Sequence, residues 1–311
     1  MAIYIIVVVV GAFIVWNVTL WGYTDRNKQP LEPELEAVFD PRCRPIVMEQ
    51  VKPSERAVIM VHGFPSTPIT YAYAAERAYQ AGYDVYVPLL PGFGTKPEDL
   101  EHTTFSQWYA YLAEFYETVR ARHAFTAVIG TSMGASMTLR LGEDYSGTVQ
   151  KPHALVTVAA PVFLNSIRDR SIKDWKMYLA RTAALFYSSI KTGIHVGKEE
   201  ENDGDEQWIG YTGQFVRSGL SFLYALKGIR KNLASITCPL MAIHDLHDRT
   251  ISYKNLKIIE EHVNAKPFVS RTVEMDKDHN KHVLLMYRSV QKELMDEILQ
   301  FMAEQAHDIP Q

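Results

Sequence analysis

Residues Gly130-Thr131-Ser132-Met133-Gly134 follow the apolar run Phe125 to Ile129 and precede a helix-compatible stretch, Ala135 to Leu141. That order describes a strand, a sharp turn and a helix folded straight back on its own strand. Such a crossing needs glycines where a Cβ would collide with the neighbouring backbone. A serine hydroxyl is a weak nucleophile, and a turn of this kind lifts it clear of the sheet. Ser132 is therefore the candidate nucleophile.

Three other segments supply what such a serine requires. Ala57 to Val61 is a short apolar run that opens into His62-Gly63-Phe64-Pro65, a strand ending in a loop. Two backbone N–H groups to hold an oxyanion are expected from Met133, the residue after the serine, and from Phe64 in that loop. A base and a partner for it should lie downstream. After the apolar strand Leu240 to Ile243 the loop carries Asp245 and Asp248, of which Asp248 lies farther into the loop and is the candidate acid. The plainer alternative is that both aspartates cap the helix that follows. After the strand Arg271 to Met275 come His279 and His282. His282 adjoins an apolar stretch that can fix its backbone, so it is the candidate base, with His279 in a polar run as the competitor. Nucleophile, acid and base then occur in the order Ser132, Asp248, His282, one of three chain orders known for serine triads.

Fold class follows from alternation. Strand candidates Ala57–Val61, Asp84–Leu89, Phe125–Ile129, Leu155–Ala159, Leu240–Ile243 and Arg271–Met275 alternate with helix candidates Tyr71–Ala81, Phe105–Arg122, Met133–Gly142, Ser252–Val263 and His282–Ala306. Nearly continuous apolar strands separated by helices predict an α/β protein, with a mostly parallel central sheet covered on both faces and ligands at the carboxyl ends of its strands. The interval 161–231 breaks the alternation with aromatic and aliphatic residues at helical spacing, and predicts a mostly helical cap over the site. Inside it, the acidic run Glu199 to Glu206 fits no calcium-loop spacing and reads as a solvated, mobile loop.

These pieces resemble the α/β-hydrolase superfamily, in the branch of carboxylesterases, monoacylglycerol lipases and lysophospholipase-like enzymes. The resemblance runs from about Ala57 to the terminal helix. It rests on His62 to Pro68, Leu90-Pro91-Gly92-Phe93-Gly94 to Leu100, Gly130 to Gly134, Cys238-Pro239-Leu240 and Lys281-His282-Val283-Leu284. It implies the α/β-hydrolase fold and cleavage of carboxylic esters, such as monoacylglycerols or lysolipids, through an acyl-enzyme. The chain departs from the family pattern at Phe93, where the family has histidine, and at His244, where it usually has glycine.

Ile3 to Trp21 is uncharged and long enough to cross a bilayer of ~30 Å as a helix. Its length, the lack of a basic leader and the lack of an A-x-A-like site favour an anchor over a cleaved signal. Arg26, Lys28, Arg42 and Arg44 all follow the span, which favours a cytoplasmic catalytic domain. The expected organisation is an anchor at 1–24, a proline-punctuated tether at 25–53 and one hydrolase domain at 54–311. A net charge of −4 gives no footprint for nucleic acid. The two cysteines, Cys43 and Cys238, and the histidines show no metal-ligand spacing, and neither metal nor cofactor is expected. Two readings in other classes stay open: a non-catalytic hydrolase-fold protein that binds a lipid or partner, and an acyltransferase using the same residues. Oligomeric state is not legible.

Overall fold

The computed structural model describes residues 1–25, 27–198, 203–204, 207–276 and 280–306. In chain order its strands are β1 (Ile46–Met48), β2 (Arg56–Val61), β3 (Asp84–Val87), β4 (Phe125–Thr131), β5 (Ala154–Val158), β6 (Ile190–Val196), β7 (Ile209–Gln214), β8 (Leu240–Asp245) and β9 (Phe268–Val273). The α-helices are α1 (Ala2–Thr19), α2 (Ala72–Gln80), α3 (Pro97–Glu101), α4 (Phe105–Arg122), α5 (Met133–Tyr145), α6 (Ala180–Ala183), α7 (Val216–Asn232), α8 (Lys254–His262) and α9 (Gln291–Glu304).

One seven-stranded sheet has the order β1-β3-β2-β4-β5-β8-β9. All its pairings are parallel except β1, which runs antiparallel along the edge of β3. The strands are apolar on both sides because both sides are covered. Ala57, Ile59 and Val61 of β2 face one buried cluster with Trp108 and Leu112 of α4. Val58 and Met60 face the opposite cluster with Ala74 and Ala78 of α2 and with Met295 and Ile298 of α9. The start of α4 is set locally: the Thr104 side chain accepts from the Gln107 amide, and the Gln107 side chain reaches back to the Thr104 amide.

Several elements differ from the sequence expectation. A three-residue strand, β1, lies inside the lead-in, and β9 starts and ends earlier than expected. It pairs with β8 along its whole length, from Leu240↔Phe268 to Asp245↔Val273. The terminal helix begins at Gln291 rather than His282. Ahead of it the chain makes a 3-10 turn at Leu284–Met286, and Asp203 holds the next residues by accepting from the Arg288 and Ser289 amides. No glycine or proline marks that break, so the helical pattern overrides it in the sequence.

The cap leaves the sheet after β5 and returns at β8. It contains a 3-10 turn at Trp175–Leu179, then α6, the antiparallel hairpin β6–β7 and the long helix α7. The hairpin was not foreseen, because the aromatics around it also fit a helical period. Of the acidic run, only Asp203 and Gly204 are among the described residues.

The tightest point of the fold is the crossing of α5 over β2. A Cβ at Gly134 would lie 2.0 Å from the Val61 carbonyl oxygen, and one at Gly130 would lie 2.3 Å from the Gly134 carbonyl oxygen. Both obstacles are backbone and cannot swing away. Gly134→Ala should therefore destabilise the fold by ~3 kcal/mol or more, read as a lowered thermal midpoint. An unchanged midpoint would show that the crossing tolerates a methyl group.

Candidate active site

The loops that follow β2, β4, β8 and β9 gather at one edge of the sheet. Ser132 stands between β4 and α5 with φ 56° and ψ −121°, a conformation that L-residues rarely hold. Its amide donates to the Val158 carbonyl at 2.9 Å, which ties the turn to the end of β5. The loop after β2 passes directly against it, since a Cβ at Gly63 would sit 3.0 Å from the Ser132 Cβ. Among the described residues, the backbone amides of Phe64 and Met133 donate to no other protein group. Two unpaired N–H groups beside a serine are a potential anion-binding pair.

Asp248 and His282 come together from separate loops. The His282 Nδ1 lies 2.7 Å from the Asp248 Oδ2, and both side chains are buried. The other carboxylate oxygen, Oδ1, accepts from the amides of Thr250 and Ile251 at 2.7 and 2.9 Å. Burial alone would raise the Asp248 carboxyl, but charge and hydrogen bonds from His282 and His244 hold it well below the usual carboxylate range. Asp248 is thus a fixed anion. Asp245 serves the fold instead, because its two oxygens accept from the His247 and Met275 amides at 2.8 and 2.9 Å and so fasten the ends of β8 and β9. His279 lies outside the described residues. Ser132 Oγ makes no hydrogen bond to His282 among the described residues.

Several contacts were not foreseen from the sequence. His244 lies at the end of β8 with its Nε2 3.2 Å from the same Asp248 oxygen, so two imidazoles share one carboxylate. Its four-residue spacing from Asp248 was the available signal. Lys173 of the cap donates to the Asp248 carbonyl at 2.9 Å, which links the cap to the acid loop. His62 is fully buried; its Nδ1 contacts the Gly63 carbonyl at 3.1 Å, and its Nε2 accepts from the Leu90 amide at 3.1 Å. That pairing requires a neutral ring and brackets the loops after β2 and β3. Phe93 packs edge-on against His62 and against Trp108, filling core space rather than reaching the site.

Ser132 opens into a cavity of about 500 Å³. Phe64, Phe215, Leu220 and Leu223 make one part of its wall, and Met177 and Leu179 of the cap another. Such a mainly apolar chamber suits a hydrocarbon chain. Among the described residues no group of three His, Cys, Asp or Glu side chains could hold a metal ion.

A family model described as serine aminopeptidase, S33, matches residues 52–274. A stretch of 88 residues is 43% identical to a thermostable monoacylglycerol lipase of Bacillus sp. (strain H-257), covering 28% of this chain and 35% of that protein. A carboxylesterase of Bacillus subtilis (strain 168) is 23% identical over 219 residues, covering 69% of this chain and 80% of that one. In fold the chain is similar to a structure from the metagenome-derived lipolytic enzymes LipS and LipT, with TM-score 0.70 and 19% identity over 85% of this chain and 98% of that one. It is also similar to a monoacylglycerol lipase of Paleococcus ferrophilus, with TM-score 0.65 and 15% identity over 84% and 98%.

Burial pushes His62 down from 6.5 to about 4. As pH falls, the unfolded chain takes up this proton first, so the contribution of neutral His62 is present above pH 6.5 and drains away between 6.5 and about 4. The loss should amount to ~3 kcal/mol at most. His153, pushed down to about 4 mainly by burial, adds to it in the same window. Urea unfolding at pH 7 and pH 5 should show the drop, and His62→Gln should shrink it. An equal pH dependence in the variant would place the titrating group elsewhere.

Proposed function

Since the chain belongs to the α/β-hydrolase family matched by that model, in its carboxylesterase and monoacylglycerol lipase branch, we propose that it is a serine hydrolase of carboxylic esters. The observation that carries this reading is the buried Asp248–His282 bond on the loops after β8 and β9, at the same sheet edge as the strained Ser132 turn that opens into an apolar cavity.

In this reading Ser132 Oγ attacks the ester carbonyl while His282 Nε2 takes its proton. Asp248 keeps the proton of His282 on Nδ1 and stabilises the imidazolium that forms. The amides of Phe64 and Met133 donate to the oxyanion that forms between them. His282 then returns its proton to the leaving alcohol, and water repeats the cycle on the acyl-Ser132 ester. The cavity favours an acyl chain over the free amine of an aminopeptidase substrate. Its one carboxylate, Asp174, already accepts from the Lys176 amide at 3.0 Å. Fatty acyl monoesters are thus the proposed substrate class.

The apolar helix α1 is the one described helix long and apolar enough to cross a membrane, and little of it is buried. We read it as a single-pass anchor with the hydrolase domain on the cytoplasmic side, supported by the basic residues Lys28, Arg42 and Arg44 that follow it. Protease protection of sealed vesicles checks the side. Recovery of a mature chain lacking these residues would make the segment a signal sequence.

A serine-directed fluorophosphonate should label Ser132. Ser132→Ala and His282→Ala should each lower kcat by ~10⁴-fold or more with the fold retained. Asp248→Asn should lower kcat far more than Asp245→Asn, whose cost should appear in the thermal midpoint. Labelling at another residue would dismiss the nucleophile, and the reverse order of the aspartates would move the acid. Acyl esters of graded length, an amino-acid amide and a second alcohol as acceptor separate ester hydrolysis from peptidase and acyltransferase activity. A folded protein inert to all of them would favour the non-catalytic binding reading.

A further inference from the structure

The last turn of a helix leaves its carbonyls without partners in the helix itself. In α1 the cap supplies them. Arg181 donates to the carbonyls of Trp16 and Trp21 at 3.0 and 2.7 Å, and its guanidinium stacks over the Trp16 ring at 4.3 Å. Lys227 of α7 donates to the carbonyls of Val18 and Thr19. In return the Asn17 side chain accepts from the amide and hydroxyl of Thr182 in α6, at 3.2 and 2.9 Å. A few residues on, Asp25 accepts from Ser221 of α7 and from Ser106 of α4. The end of the anchor is built into the cap.

At this junction lies a second cavity, of about 210 Å³. Val18 and Leu20 of the anchor form one side, and Phe163 and Leu226 another. Leu164, Met177 and Leu223 line this cavity and the Ser132 cavity alike, so the two share a wall. Large apolar side chains stand exposed around the junction. Trp21 follows α1, Trp175 opens the 3-10 turn packed against α1, and Leu185 and Phe186 follow α6. Tryptophans alternating with an arginine and a lysine at the end of an apolar helix match the water–lipid boundary.

We propose that the α1–cap junction is a lateral portal, through which the acyl chain of a membrane-resident single-chain lipid ester passes from the bilayer beside α1 into the Ser132 cavity. The proposal rests on the ester-hydrolase reading and on α1 crossing a bilayer. Its occupant is an acyl chain because Val18 and Leu20 on the anchor side and Phe163 and Leu226 opposite present apolar surface that continues into an apolar chamber. Most polar groups at the junction already have partners, Lys227 in the α1 carbonyls, Asn17 in Thr182, Arg230 in Asp169 and Asn165 in the backbone of Lys173 and Asp174. The substrate then need not leave the bilayer for water before it meets Ser132.

The test uses the full chain carrying Val18→Cys, which places a thiol on the wall that belongs to the junction cavity alone. The native Cys43 and Cys238 are buried, so labelling after folding directs reagent to position 18. Pyrene maleimide is the plug and a methylthio group the small control. Val149→Cys, exposed in the turn before β5 at the opposite edge of the sheet, controls for the label itself. In phosphatidylcholine vesicles containing monooleoylglycerol, pyrene at position 18 should reduce hydrolysis at least tenfold. Hydrolysis of p-nitrophenyl acetate should stay within twofold, and the methylthio form and labelled Val149→Cys should match the unlabelled chain on both substrates. Full hydrolysis of the vesicle substrate by the plugged protein would overturn the portal. Equal losses on both substrates would overturn it too, making the junction a structural wall of the catalytic chamber. If unlabelled Val18→Cys does not fold, Ser166→Cys offers the same cavity. A wild-type chain inert to both esters would strike the hydrolase reading instead.

Discussion

The contact of Gly134 with the end of β2 is the constraint on which the rest of the site depends. With a hydrogen in place of Cβ, α5 can rest against the Val61 carbonyl, and the turn that precedes it must then be as tight as Ser132 makes it. Neighbouring strands hold that turn from both sides. The Val158 carbonyl of β5 takes the Ser132 amide, and the buried Tyr71 hydroxyl bonds to the Val61 carbonyl and to Thr131 Oγ1 at 3.0 and 2.8 Å. The strain at one serine is thus offset by satisfied backbone and side-chain groups on three adjoining strands. The same crowding sets the distance between Ser132 and the loop after β2, because Gly63 can approach it only without a side chain.

Around this turn, buried polar groups are divided by the hydrogen bonds they accept. Asp245 and Asp248 are three residues apart, yet Asp245 gives both oxygens to amides whereas Asp248 gives one and turns the other toward two imidazoles. A carboxylate held by amides and facing rings that can carry charge stays ionised even though burial opposes it. His62 is the opposite case. Its ring is enclosed by apolar groups and needed in its neutral form, so it ties two loops together without bringing charge to the site.

The fold was legible because its signals are local and repeated. Apolar strands such as β2 and β4 read as strands, the Thr104–Gln107 box marks the start of α4, and the G-x-S-x-G turn stands between β4 and α5. Asp248 and His282 were also legible as residues on loops after successive strands, and those loops meet in space. What escaped reading was tertiary. The shift of α9 to Gln291 depends on Asp203, far away in the chain, accepting from Arg288 and Ser289. The strand alternation of the hairpin β6–β7 is indistinct beside aromatic residues that fit a helix. His244 looked like a departure from a glycine position, and only the fold of the loop reveals that it reaches Asp248.

The amino-terminal segment shows the same limit most clearly. Its composition describes an apolar helix and nothing about what its end touches. A helix must find partners for its final carbonyls, and water serves where that end is exposed. Here Arg181 and Lys227 serve instead, while Asn17, a polar residue of that last turn, caps the start of α6. Each side satisfies groups that the other would otherwise leave to solvent, so the position of α1 and the position of the cap are one variable rather than two. Because α6, α7 and the 3-10 turn also wall the Ser132 cavity, the geometry of that chamber is set partly by a helix whose other end lies far from it.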